Sequence, residues 1–200
     1  MGSDGQAGAA PEGSMNMETE RMTQAEIGGG TANAPQVHPA KGQLICNFTL
    51  VSTGGQKISL SDYRGRSNLV LVFAGGGSGS PDTQVLVEIA ADYARFQEDE
   101  TQVLAILQCT RGKAATIKQQ ANLPFPLLVD EDGRIHRPAG AADKEGHPAT
   151  AIYITDRFGE VFAVYRAAEG QAMPSVREIV EWLSFINSQC PECSPPEWTA

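Results

Sequence analysis

The chain has 200 residues, a formal net charge of −9, and 41% hydrophobic residues. That length suits one domain plus a tail, and the acidic balance argues against a nucleic-acid partner, which needs clustered Lys and Arg. No apolar run approaches the roughly 18–20 residues of a membrane span, and the N-terminus lacks the basic-then-apolar order of a secretory signal, so a soluble cytoplasmic protein is expected.

Residues 1–42 are rich in Gly, Ala and Pro and show no hydrophobic periodicity, which predicts a disordered tail. A domain is expected over 43–188, followed by a short tail over 189–200. From Leu44 the pattern changes. "LICNFTLV" and "KISL" alternate like two strands around the turn "STGGQ". "LSDYRGR" reads as a connector turning at Gly65. "NLVLVFA" is a continuous apolar run, as expected of a strand buried on both faces. The segment "SPDTQVLVEIAADYARFQEDE" puts Val85, Leu86, Ile89, Tyr93 and Phe96 on one helical face, with Ser80 as N-cap and Pro81 at the first helical position.

"QVLAILQ" reads as a second buried strand and "KAATIKQQA" as a short helix. "LPFPLLVDEDGRI" is a strand entering a turn, and "TAIYITDRFGEVFAVYR" is a hairpin around Asp-Arg-Phe-Gly. "MPSVREIVEWLSFINSQ" closes as an amphipathic helix with Val176, Ile179, Val180, Leu183 and Ile186 inward. The order predicts an α/β domain: a central mixed sheet, parallel first and antiparallel last, with helices on both faces.

This order is that of the thioredoxin-like fold. "NFTLVSTGGQKISLSDYRGRSNLVLVFA", "LPFPLLVDEDGRI" and "ITDRFGEV" together resemble the peroxiredoxin (AhpC/TSA, redoxin) family over about 42–187. In that family the first core strand is followed by Pro-x-x-x-Thr-x-x-Cys, whose thiolate attacks peroxide. Laid on this chain without a gap, the Pro falls on Gly75, the Thr on Gly79 and the Cys on Asp82. The family's active-site Arg falls near Thr150, where no Arg stands. The resemblance therefore implies thiol-based antioxidant ancestry with the peroxidatic site substituted. Asp82 can sit in the positive field of a helix N-terminus, but it cannot form a sulfenic acid. No cysteine stands between Cys46 and Cys109, so no shift of alignment supplies one. The loop "GGGSGSPDT" lacks the Lys of a phosphate-binding P-loop.

Cys190-Pro-Glu-Cys193 is the one close cysteine pair. CxxC spacing serves a redox disulfide or half of a zinc site. The pair follows the last helix, where the dipole does not favour thiolate. Three readings stand: a redox-active disulfide served by a thiol reductant protein, a zinc knuckle completed by a second copy in a homodimer, or a structural clasp. Trp198 could pack this tail back on the domain. Cys109 ends a strand and Cys46 alternates within one, so both are expected as small buried hydrophobes, with Cys109 the alternative redox thiol. His136 and His147 fall in loops and are expected solvated, with Pro148 in a turn that in this fold often holds a cis-proline. Two functions follow: a divergent redoxin using Cys190 and Cys193, or a catalytically silent thioredoxin-fold binding module.

Overall fold

The computed structural model describes residues 38–77 and 81–189. Ser80, Gly79, Cys190, Cys193 and Trp198 therefore lie outside the described residues. Seven strands form one sheet: β1 (Thr49–Ser52), β2 (Lys57–Ser59), β3 (Asn68–Ala74), β4 (Thr101–Leu107), β5 (Leu127–Val129), β6 (Ala151–Thr155) and β7 (Val161–Arg166). Four α-helices accompany them: α1 (Pro81–Ala91), α2 (Tyr93–Glu98), α3 (Arg111–Gln120) and α4 (Val176–Ser188). The strand order is β2-β1-β5-β4-β3-β6-β7. β3 pairs parallel with β4 from Asn68↔Thr101 to Ala74↔Leu107, and antiparallel with β6. The fold is thioredoxin-like, with a mixed sheet as its centre.

The apolar run in β3 is buried at every position, so it occupies the middle of the sheet. Its side chains alternate between two clusters. Val70, Val72 and Ala74 pack with Leu86 and Ile89 of α1, Phe96 of α2, Ile117 of α3, and Ile179 and Leu183 of α4. Leu71 and Phe73 pack instead with Leu50, Leu60, Ala139, Ala141 and Tyr153. The expected helices on both faces are thus corrected. All four α-helices feed one cluster, and the opposite face is closed by the β1–β2 hairpin, the 3-10 turn Leu60–Tyr63 and the turns around residue 140. Handedness explains this. The sheet order takes β3 to β4 to β5 in one direction, and right-handed crossovers then put α1 and α3 on one face.

Local signals hold elsewhere. α4 starts at Ser175, whose side chain accepts from Glu178 N–H while Glu178 accepts from Ser175 N–H, a reciprocal capping box. The β6–β7 turn is fixed by Asp156, whose Oδ1 accepts from Phe158 and Glu160 N–H at 2.9 and 2.8 Å. The predicted long helix is divided at Asp92 into α1 and α2. The first strand is shorter than its sequence pattern suggested. Leu44 makes an isolated bridge to Glu160, and regular pairing begins at Thr49. Ile45 packs inward, so Cys46 faces out and is exposed rather than core. Residues 38–42 are also tied down: Gly42 N–H donates to Val161 O at 2.8 Å, and Arg166 donates to Pro39 O.

Candidate functional site

β3 delivers the chain to the C-terminal edge of the sheet, where Ala74 is followed by Gly75, Gly76 and Gly77. In open α/β sheets this edge is where ligands and chemistry gather. Asp82 stands in the first turn of α1, where a carboxylate is favoured by the helix dipole. Its Oδ1 accepts from the Thr150 hydroxyl at 2.5 Å, and its Oδ2 accepts from Gly75 N–H at 3.4 Å. Thr150 is buried and sits one residue before β6. The two positions that sequence reading paired with the family's Cys and Arg are therefore in direct contact.

The carboxylate is half-buried, and the space beside it at Gly75 is tight. A Cβ on Gly75 would lie 3.0 Å from Pro148 Cγ and 3.3 Å from Asp82 Oδ2. A proline there would press on both. The Pro148 peptide is trans, since the described residues contain no cis peptide bond, which corrects the expected cis-proline.

Cys109 borders the same loop from β4. Its Sγ lies 2.8 Å from where a Cβ on Gly76 would stand, and Gly76 has φ +66°, so glycine is needed there on both counts. The thiol is half-buried. Burial pushes its pKa up, with Glu131 adding to the rise, against the opposing pull of Lys113 and the Ala114 N–H. A raised thiol pKa leaves less thiolate and a poorer nucleophile.

Beneath the loop lies a pair that sequence reading missed. His136 is fully buried, which corrects its expected place in solvent. Its Nδ1 is 2.7 Å from Asp130 Oδ2, and its Nε2 is 3.3 Å from Ala74 O. Its ring meets Phe73 edge-on at 5.3 Å between centroids. Asp130 Oδ2 also accepts from the N–H groups of Ile135 and His136 at 3.0 and 2.9 Å. Burial alone would raise the Asp130 pKa, but the His136 ring and these two N–H groups outweigh it and hold the carboxyl below its usual range. Asp130 follows β5 directly and His136 closes the next turn. No periodicity marks that spacing.

His147 is exposed as expected, with Nδ1 3.2 Å from Asp143 Oδ2. Asp143, Glu145 and His147 form a small exposed cluster of metal-ligand type, yet Asp143 Oδ1 already accepts from the N–H groups of Glu145 and His147. Among the described residues no helix is long and apolar enough to cross a membrane.

Fold and site together define a redoxin-type thioredoxin-fold protein. The AhpC/TSA family model matches residues 41–164, and the chain belongs to that family. It is 29% identical over 151 residues to a putative chloroplastic peroxiredoxin Q of Oryza sativa subsp. indica, covering 74% of this chain and 67% of that one. It is 28% identical over 151 residues to peroxiredoxin Q of Suaeda salsa, covering 74% and 68%. Among solved structures, peroxidoxin BcpB from Mycobacterium tuberculosis superposes with a TM-score of 0.66 at 20% identity, covering 76% of this chain and all of that one. A thiol:disulfide interchange protein DsbE from Chlorobium tepidum gives 0.60 at 22% identity, covering 74% and 96%. These two likenesses bear on the fold alone.

Proposed function

We propose that this chain is a thiol-redox protein of the AhpC/TSA family that no longer uses the peroxidatic position. In this reading Asp82 replaces the reactive Cys, and redox chemistry passes to Cys190 and Cys193. The observation that carries the first half is the Asp82 carboxylate, bonded to Thr150 and Gly75. A carboxylate so held offers no sulfur to peroxide. Cys109 beside it has its pKa raised by burial, so it is a weak substitute. The CxxC spacing supports the second half. In the proposed step the two thiols lose two hydrogens and form a disulfide. The peroxide is reduced to an alcohol and water, and a reductant dithiol protein restores the pair.

The Asp82 carboxylate, held by Thr150 and Gly75, also favours a second reading, a silent thioredoxin-fold binding module. There Cys190 and Cys193 form a structural disulfide, or ligate zinc together with the same pair of a second copy in a homodimer. Zinc takes four ligands in structural sites, and one CxxC supplies two. One experiment separates the two readings: intact mass and free-thiol count before and after one equivalent of peroxide, with zinc measured on the same sample. The redox reading expects the peptide holding both cysteines to lose two hydrogens and regain them with a dithiol. Unchanged thiols with zinc bound at one per two chains would replace it with the binding module.

A further inference from the structure

Helix α4 carries two apolar facets, and the core uses one of them. Ile179, Val180, Leu183 and Ile186 are buried against the sheet. Trp182 is half-buried and Phe185 is exposed, and with Glu178 and Glu181 they follow the i, i+3, i+4, i+7 spacing of a single helix face. That face runs from the first turn of α4 to its last. Tyr165 of β7 and Lys41 line it from the other side, and the groove between them has a volume of about 470 Å³.

The floor of the groove is aromatic. Phe185 keeps 49% of its surface exposed. Its ring meets Trp182 and Phe162 edge-on, at 6.0 and 6.2 Å between centroids. Trp182 Nε1 donates to Tyr165 Oη at 3.0 Å, which fixes the indole plane. The acids of the rim are already engaged: Glu178 accepts from Ser175 N–H at 2.8 Å, and Glu181 pairs with Arg177 at 2.8 Å. Lys41 Nζ stands 4.8 Å from the centroid of the Trp182 ring. It has no carboxylate partner among the described residues. The groove therefore offers ring faces and one cation without a counter-ion. It suits an apolar, acidic occupant that has little conformational freedom to lose.

The sequence supplies such a segment directly after the same helix. Residues 190–200, "CPECSPPEWTA", follow Gln189. They include Pro191, Pro195, Pro196 and Trp198, carry Glu192 and Glu197, and contain no Lys or Arg. Pro-rich segments dock on aromatic-lined grooves because their backbone is already restricted. Their reach is sufficient: at about 3.1 Å per residue the chain spans roughly 19 Å from Gln189 to Pro195, whereas Ser188 to Trp182 is about 9 Å along the helix axis. A tether this short gives an effective concentration in roughly the millimolar range, which favours the chain's own segment over that of a second copy.

We propose that residues 190–200 dock in this groove of their own chain, with Pro195 and Pro196 against the rings of Trp182 and Phe185. Docking there covers the exposed face of Phe185 and keeps Cys190 and Cys193 beside the last turn of α4. The proposal goes beyond both readings of the cysteine pair and needs neither.

The test is NMR on the full chain labelled with 13C and 15N. NOEs are expected from the ring protons of Pro195 and Pro196 to those of Trp182 and Phe185. Phe185→Ser, a change at an exposed position, should remove the NOEs to Trp182 while the α4 amide signals hold. Pro195→Ser combined with Pro196→Ser alters no described residue and should shift the Trp182 indole signal. Absence of the NOEs in the parent overturns the proposal, and so does a Trp182 indole signal that the double proline change leaves in place. NOEs that pass between labelled and unlabelled chains in a mixed sample overturn it as well, because the occupant is then a second copy's segment. None of these readouts involves peroxide, thiol count or zinc, so this proposal and the reading of Cys190 and Cys193 fail separately.

Discussion

Two buried charged clusters flank the middle of the sheet, and they are built differently. On the hairpin side Arg166 donates to Tyr153 Oη at 3.2 and 3.0 Å, to Glu169 at 3.3 Å, and to Pro39 O. Tyr153 in turn donates to Ala139 O at 2.6 Å. This cluster joins segments roughly a hundred residues apart, and its counter-ion Glu169 is half exposed. Under the site, Asp130 and His136 are both fully buried and face few partners, and Asp130 Oδ1 has none among the described residues. The first cluster is over-determined scaffold. The second is a buried pair whose outward bond, from His136 Nε2 to Ala74 O at 3.3 Å, is long and leads to the loop. A buried pair of that kind is sensitive to loss of either member, because the survivor is left as a buried polar group without its partner.

The sharpest way to break this contrast is Asp130→Asn. It weakens three charge-assisted bonds to neutral ones and puts an unpaired amide NH2 where Asp130 Oδ1 has no partner, so unfolding in denaturant is expected to show a loss of about 3–5 kcal/mol. A loss near zero would mean an amide serves these bonds as well as the carboxylate does. Because the folded Asp130 pKa is lowered, its stabilisation is fully present above the unfolded value of about 3.9 and is lost as pH falls through the lower folded value. Stability below about pH 4 should therefore depend on pH less steeply in the variant than in the parent.

Arg166→Ala is expected to cost about 2–4 kcal/mol, from several bonds lost and Tyr153 left uncovered. Tyr153→Phe removes the hydroxyl alone and should cost about 1–2 kcal/mol. If Tyr153→Phe cost as much as Arg166→Ala, the hydroxyl rather than the guanidinium would be the centre of that cluster.

These clusters also show what local sequence can and cannot reveal. β3 was legible because a continuous apolar run has few other uses. α4 was legible from its spacing and its Ser175/Glu178 box. The contact of Asp82 with Thr150 was anticipated only as two substituted positions in a resemblance, and the structure joined them. The side of the sheet taken by each helix was not legible, because it depends on strand order and crossover hand. Cys46 was misread because alternation was extended into a segment that pairs only at Leu44. The Asp130–His136 pair left no mark at all: a turn brings together residues whose spacing follows neither 2 nor 3.6.

At the site itself Asp82→Cys is expected to fold and to add no substantial peroxidase activity to the parent's in a dithiol-coupled assay. Thr150 stands where the resemblance puts an Arg, and Gly75 cannot take a proline without pressing on Pro148. The same substitution should cost about 1 kcal/mol or less, since one short and one long bond to a half-buried carboxylate are exchanged for a thiol. Activity far above the parent's in this variant would show that the loop keeps its peroxide geometry and lacks only sulfur.

The smallest expected effect is at the N-terminus, and it sharpens the scaffold half of the contrast. Deleting residues 1–37 should leave the melting temperature within a few degrees. Deleting through residue 40 removes His38, which bonds Pro138 O at 3.1 Å, and the Pro39 carbonyl that accepts from Arg166. A buried guanidinium that loses an acceptor keeps the cost of its desolvation. The longer deletion should therefore melt several degrees lower, since about 1 kcal/mol shifts a domain of this size by roughly 2–4 °C. Equal melting temperatures would mean Arg166 finds another acceptor, and the cluster would then owe its rigidity to Tyr153 and Ala139 alone.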